Sequence, residues 1–325
     1  MTDPPYLTYA RYLRARFGCS VYRVAVDAGF SCPNRSGGRS DAGCTYCGED
    51  GARAPYLAAA SPAEPLCCGN HDSPDPSAYL ASQVRDALAF LRRRYDAKAF
   101  ILYFQAFSNT NAGVETLKQV YDTGLALAAF RGLNVATRPD CLDARKADLL
   151  ASYRERGLEV WVELGLQSAH DDTLLRVRRG HTLEGFLRAY RLLRERELKI
   201  AVHLIFGLPG EDRARIMRTI DTVARLRPEG VKIHNLHIPK GTLLAREYAK
   251  GEITAPSSRR HLEHVIAALE RLPPQTVIMR LTCDTPLENL MAPRVFLSKQ
   301  AFNGLLAKEM RARGAWQGRL CTETA

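Results

Sequence analysis

YRVAVDAGFSCPNRSGGRSDAGCTYCG, residues 22–48, runs from an apolar strand into a loop that holds three of the chain's nine cysteines. The strand covers 22–27 and stops at Ala28-Gly29. Cys32, Cys44 and Cys47 follow in the spacing C-x11-C-x2-C, and Gly37, Gly38, Gly43 and Gly48 let the backbone wrap tightly around them. A C-x2-C pair brings two thiolates to one centre, and three soft sulfurs suit zinc or an iron–sulfur cluster. Structural zinc needs a fourth ligand, which Cys19, Cys67, Cys68 or His71 could supply. A cluster held by three cysteines alone leaves one iron open, and an open position is where chemistry happens. Spacing alone does not choose between the metals. The odd number of cysteines in a long chain sets metal or redox chemistry ahead of a disulfide framework.

Outward from this loop, apolar runs alternate with amphipathic stretches. Strands are expected at 99–105, 133–137, 158–166, 200–206 and 231–236. Helices are expected at 77–95, 114–129 and 143–156, over most of 171–196, and at 212–226. Asp143 is placed to cap the third of these, and Gly157 to end it. Six strand–helix units imply a parallel sheet, and right-handed crossovers curl such a sheet into an open or partial barrel. Reactive residues then collect at the strands' C-terminal ends. After residue 240 come a helix (257–271), a strand (277–282) and a helix (298–313), read as a short α/β extension packed on the barrel edge. The division expected is therefore 1–240 and 241–325.

Composition narrows the class. The chain has 325 residues, 46% hydrophobic and 25% charged, which excludes disorder and low-complexity architecture. No apolar run approaches the roughly 20 residues of a membrane helix, and residues 1–14 lack the apolar core of a secretory signal. A cytoplasmic location without membrane association is the expectation. Lys+Arg 46 against Asp+Glu 35 leaves +11. That excess favours polyanions such as RNA, although dispersed arginines also arise without any ligand.

Further blocks recur at the expected strand ends: 103–110 (YFQAFSNT), 137–140 (TRPD), 163–170 (ELGLQSAH), 179–181 (RGH), 203–211 (HLIFGLPGE) and 232–237 (KIHNLH). With the loop at 24–35, this series resembles the radical S-adenosylmethionine (SAM) superfamily, in its Elongator-like branch and the YhcC/YtqA-type family, over nearly the whole chain. The resemblance implies a partial (β/α)6 radical SAM barrel with a C-terminal extension. It further implies a 4Fe–4S cluster on Cys32, Cys44 and Cys47, with S-adenosyl-L-methionine on the open iron. Reductive cleavage of that cofactor to a 5′-deoxyadenosyl radical would then start the chemistry. The long first gap departs from the superfamily's commoner C-x3-C-x2-C but matches this branch. Ser36-Gly37 stands where relatives often carry an acidic residue before glycine.

Site residues follow from the same resemblance. Tyr46 occupies the aromatic position beside the adenine, or else simply packs the loop. Glu163 and Gln167 share a strand face with Gly165 and are assigned to the cofactor's ribose or amino-acid end. Gly207, opening Gly207-Leu208-Pro209-Gly210, resembles the adenine-side turn. Arg138 would grip a carboxylate or phosphate, unless it is paired to Asp140 or Glu163. Gln105, Asn109 and Asn111 would contact cofactor or substrate, with loop capping as the alternative. At most one of His203, His234 and His237 is expected to be functional. Adjacent Cys67 and Cys68 do not suit a second cluster, and Cys141 reads as a small buried hydrophobe.

The partners implied are a one-electron donor such as flavodoxin or ferredoxin, and tRNA modified at the wobble uridine. Residues 241–325 are too few for the acetyltransferase domain of Elongator's catalytic subunit, so that chemistry does not carry over. A radical enzyme on a metabolite or protein is the second reading. A non-catalytic iron–sulfur or zinc RNA-binding protein is the third, and it predicts a saturated centre with no cofactor pocket.

Overall fold

The computed structural model describes residues 3–35, 43–48, 76–283 and 285–321. Gly37, Gly38, Cys67, Cys68 and His71 lie outside them. Nine strands are described: β1 (Val21–Val26), β2 (Ala99–Phe104), β3 (Phe130–Thr137), β4 (Glu159–Gln167), β5 (Lys199–Phe206), β6 (Gly230–Asn235), β7 (Ile238–Pro239), β8 (Val277–Arg280) and β9 (Leu290–Ala292). Seven form one sheet in the order β1-β2-β3-β4-β5-β6-β8, parallel at every step. The six expected strands are all there. The seventh comes from the segment after residue 240, which continues the sheet beside β6 as well as packing against it. β7 and β9 make a small antiparallel pair.

Strand alternation gives the sheet two unlike faces. Val24, Val26, Leu102, Phe104, Val162, Leu164, Val202, Leu204, Val231 and Ile233 all enter the main apolar core. That core lies under α2 (Pro76–Tyr95), α3 (Val114–Ala126), α4 (Ala144–Glu155), α6 (Leu183–Arg194) and α7 (Arg213–Leu226), with α5 (Asp171–Arg176) between the fourth and sixth helices. Asp143, Thr182 and Asp212 cap α4, α6 and α7 by accepting a backbone N–H, each worth about 1 kcal/mol. The intervening residues on the strands, Arg23, Tyr103, Glu163, His203 and Lys232, face the other way into a cavity.

The sheet is curled, and one contact proves it. Lys232 Nζ on β6 lies 3.0 Å from the Tyr103 hydroxyl on β2. Four strand spacings separate them, about 19 Å in a flat sheet. The concave face therefore closes on itself as a half-barrel.

Its lower end is plugged by a helix that strand periodicity did not reveal, α1 (Tyr9–Phe17). Tyr9 and Leu13 pack with Ile101, Trp161, Ala201, Val277 and Met279. Tyr9 and Tyr12 meet the Trp161 ring edge-on, at 5.7 and 5.5 Å between centroids. Gly230 makes room for that indole, since a Cβ there would stand 2.9 Å from Trp161 Cζ3. α8 (Leu243–Ala249) lies near β7, while α9 (Ser258–Arg271) packs against α7 and α10 (Lys299–Ala312).

Trp161 is fully buried, so Trp161→Ala should lower stability by about 3–5 kcal/mol through cavity formation and loss of the α1 contact. Denaturant unfolding checks this; a loss below about 1 kcal/mol would mean that the plug contributes nothing.

Candidate functional site

A cavity of about 460 Å³ opens at the C-terminal ends of the strands. The loop after β1 forms one wall. A turn closed by Arg35 N–H to Cys32 carbonyl (2.9 Å) and another from Cys47 N–H to Cys44 carbonyl (2.9 Å) shape it. Thr45 N–H bonds to Val177, and the Thr45 carbonyl accepts from Leu244, pinning the loop between α5 and α8. Cys32, Cys44 and Cys47 all line the cavity.

An amide and three guanidinium donors surround the sulfurs. Asn34 Nδ2 lies 3.4 Å from Cys44 Sγ, and guanidinium nitrogens of Arg179 and Arg138 lie at 3.7 and 3.8 Å. Arg35 approaches Cys47 Sγ at 3.3 Å. Burial alone would push the Cys44 thiol up, yet the Arg179 and Arg138 charges outweigh it and hold the group below its ordinary pKa. At Cys47 burial and the neighbouring Cys44 sulfur win, and the thiol is pushed up despite Arg35. Two glycines allow these arginines in. A Cβ at Gly165 would lie 2.5 Å from the Arg179 guanidinium, and one at Gly180 2.8 Å from that of Arg138.

The floor is a buried ion cluster. Glu163 Oε1 accepts from Arg23 at 3.0 Å, and Oε2 accepts from Tyr103 at 2.6 Å and Lys232 at 2.7 Å. Burial would raise the carboxyl, but Lys232 and Arg23 draw it down to about 2. Burial dominates at Lys232 and lowers the ammonium to about 8. Between floor and loop lie polar atoms with no partner among the described residues: Gln167 Oε1, His203 Nε2, His234 Nε2 and Asn235 Nδ2, all on residues lining the cavity. Burial holds both imidazoles neutral, well below the usual range. Gln167 also stands at φ +73° where the β4–β5 register shifts, a conformation costing roughly 1–3 kcal/mol in a non-glycine residue.

Of the residues singled out from sequence, Cys32, Cys44, Tyr46, Cys47, Gln105, Arg138, Glu163 and Gln167 line this cavity. Asn109 does not. Its amide turns inward and donates to the Phe104, Ala106 and Ala136 carbonyls, fixing the loop after β2. Gly207 also lies elsewhere, at φ +90° against Pro256 and beside a second cavity of about 260 Å³. Arg138 is already bidentate to Asp140 (2.9 and 2.7 Å), so a carboxylate-gripping role passes to its contact with sulfur. Asn111 bonds to Ser31, and Cys141 is buried near it, away from the cavity. His203, His234 and His237 all line the cavity, as do Arg23, Arg35, Arg179, Lys232 and Arg280, to which the spacing of motifs assigned no role.

The donor set suits an iron–sulfur cluster better than one ion. Among the described residues no three His, Cys, Asp or Glu side chains gather tightly enough to hold a single metal ion. Three thiols ranged around one wall leave room for a wider, multi-iron group. The unpartnered amide and imidazole atoms suit polar occupants of the cavity beside it.

Comparison with known proteins agrees. Residues 34–223 match the Radical SAM superfamily, and residues 228–312 match the Radical_SAM C-terminal domain. The chain is 36% identical to protein YtqA of Bacillus subtilis (strain 168), over 98% of this chain and 93% of YtqA. It is 29% identical to the tRNA uridine(34) acetyltransferase of Dehalococcoides mccartyi, over 64% of this chain and 43% of that protein. The structure of the archaeal Methanocaldococcus infernus Elp3 superposes with a TM-score of 0.65 at 20% identity, covering 73% of this chain and 60% of Elp3, a likeness of fold.

Glu163→Gln should destabilise the protein at pH 7 by about 3–5 kcal/mol, because Lys232 and Arg23 would be left buried without their anion. The wild-type carboxyl stays ionised down to about 2 when folded, against roughly 4.3 unfolded. Its stabilisation is therefore complete above the unfolded value and is lost as pH falls through that window. Stability measured against pH should decline less steeply there in the variant; identical slopes would contradict the assignment.

Proposed function

The chain belongs to the radical SAM superfamily, and on that premise we propose that it is a tRNA-modifying enzyme acting at the wobble uridine. Radical SAM enzymes use a 4Fe–4S cluster and S-adenosyl-L-methionine, which together supply reductive cleavage of the sulfonium and abstraction of a substrate hydrogen atom. The observation that carries the reading is the wall of three thiols from the one loop after β1, opening onto a cavity with polar atoms unpartnered among the described residues. A fourth lining cysteine, Cys283, comes from the segment after β8, its Sγ 3.9 Å from the Thr285 hydroxyl.

In this reading Cys32, Cys44 and Cys47 hold the cluster. Arg35, Arg138, Arg179 and Asn34 direct N–H groups at the sulfurs and stabilise their negative charge, as charge-assisted bonds to thiolate do. Tyr46, Gln105 and Gln167 contact the cofactor from the rim. Glu163 serves it indirectly, because both carboxylate oxygens are occupied and hold the floor in place. Ile205, Leu236 and Pro239 present apolar surface that keeps water from the reacting atoms. An external one-electron carrier such as flavodoxin or ferredoxin would supply the electron that the cluster chemistry needs.

Support for RNA as substrate comes from the relative named as a tRNA uridine(34) acetyltransferase and from the net charge of +11. A basic chain of this kind meets the phosphate backbone through counterion release.

Anaerobically reconstituted protein given dithionite and S-adenosylmethionine should release 5′-deoxyadenosine, and Cys44→Ala should reduce that release to background. Tightly bound zinc and no deoxyadenosine from the wild type would overturn the enzyme reading. Affinity for tRNA should fall about a thousandfold or more between 50 and 200 mM salt if six or more phosphates are contacted. Nucleoside profiles of tRNA from a strain lacking the gene should miss one modified uridine; an unchanged profile would set RNA aside for a metabolite or protein.

A further inference from the structure

Among the described cavity residues six are cationic and one, Glu163, is a carboxylate. Five of the cations are accounted for. Arg35 and Arg179 face the thiols, Arg138 faces Cys44 and Asp140, and Arg23 and Lys232 share Glu163. The sixth is Arg280, the last residue of β8, half-buried and opposite Lys232 in the strand register. It makes no ion pair or hydrogen bond with any described residue, and its Nε is buried without an acceptor. Its charge is felt by Tyr103, His203, Lys232 and His234, so it sits among cations and neutral rings.

Such a guanidinium costs stability unless an anion comes to it. Further donors or acceptors await a partner close by. Asn235, almost wholly buried, has an unpaired Nδ2, and the His203 and His234 rings stand 4.3 Å apart with Nε2 atoms unpaired. β8 is also the strand farthest in sheet order from β1 and its cysteine loop.

We propose that Arg280, with Asn235 and the imidazoles of His203 and His234, binds an oxyanion of the substrate, a phosphoryl or carboxyl group, at the floor of the barrel. The inference rests on the radical-enzyme reading only in treating the cavity as the substrate's. Arginine's planar fork matches either group bidentately, and charge-assisted bonds to it are the strong ones.

The test uses cluster-reconstituted protein, titrated with inorganic phosphate or with acetate at constant ionic strength and followed by thermal unfolding. Wild type should show a saturable rise in midpoint, by linkage. Arg280→Gln should weaken oxyanion binding about tenfold or more, with Arg280→Lys in between, and without oxyanion Arg280→Gln should melt no lower than wild type. The tighter-binding probe assigns the group as phosphoryl or carboxyl. Equal responses in wild type and both variants would overturn the proposal, as would an Arg280→Gln protein several degrees less stable without oxyanion. Loss of the wild-type response under saturating S-adenosylmethionine would assign the anion site to the cofactor and overturn it too. Wild type that releases deoxyadenosine but lacks the oxyanion response refutes this subsite alone. An Arg280-dependent response without deoxyadenosine refutes the enzyme reading alone.

Discussion

The carboxylate of Glu163 holds the half-barrel in its curl. A charge buried this deeply is tolerable only when several donors converge on it, and its three donors come from β1, β2 and β6. Each donor strand is separated from β4 by others, so the bonds form only if the sheet bends. The apolar core on the convex side supplies most of the burial free energy but says nothing about curvature. From inside, the Glu163 bonds add to the curl that the right-handed crossovers give the sheet, since they close only when it bends.

At the opposite end of the lumen the electrostatic logic inverts. The one carboxylate, Glu163, neutralises Arg23 and Lys232 at the floor, whereas at the rim guanidiniums await the negative charge of sulfur. The two glycines at 165 and 180 are what let arginines come so close to Cys44, and alanine at either would force those side chains away. Cationic walls of this kind favour the anionic groups of an occupant, a carboxylate or a thiolate-bound cluster, over its cationic ones.

Much of this was legible in the residues, for physical reasons that can be named. Near-continuous apolar runs marked β2, β4 and β5, and Asp143 marked the start of α4 as its cap. Glu163 stood out because a charge in an apolar strand demands partners. Those partners did not stand out, since Arg23, Tyr103 and Lys232 are brought to it by curvature, which leaves no trace in spacing. Yet Lys232 sits within V-K-I-H and Arg23 within Y-R-V-A-V, each an isolated cation on an otherwise apolar strand, and the same reasoning applied to them would have found both. Asn109 and Gly207 looked like ligands because amides and glycines serve binding and turns alike, and only the direction of a side chain separates the uses. α1 was missed because YARYLRARF buries just Tyr9 and Leu13, a stripe too narrow to read.

The seventh strand carries a last implication, for the order in which the molecule is made. Ile278 on β8 bonds through its N–H to the Leu7 carbonyl, and Gln317 accepts from Leu7 N–H, joining residues 310 positions apart. Pairing at such separation is the slowest kind to find. On the ribosome the lumen therefore stays unfinished at one edge until the segment carrying β8 and Gln317 has left the exit tunnel.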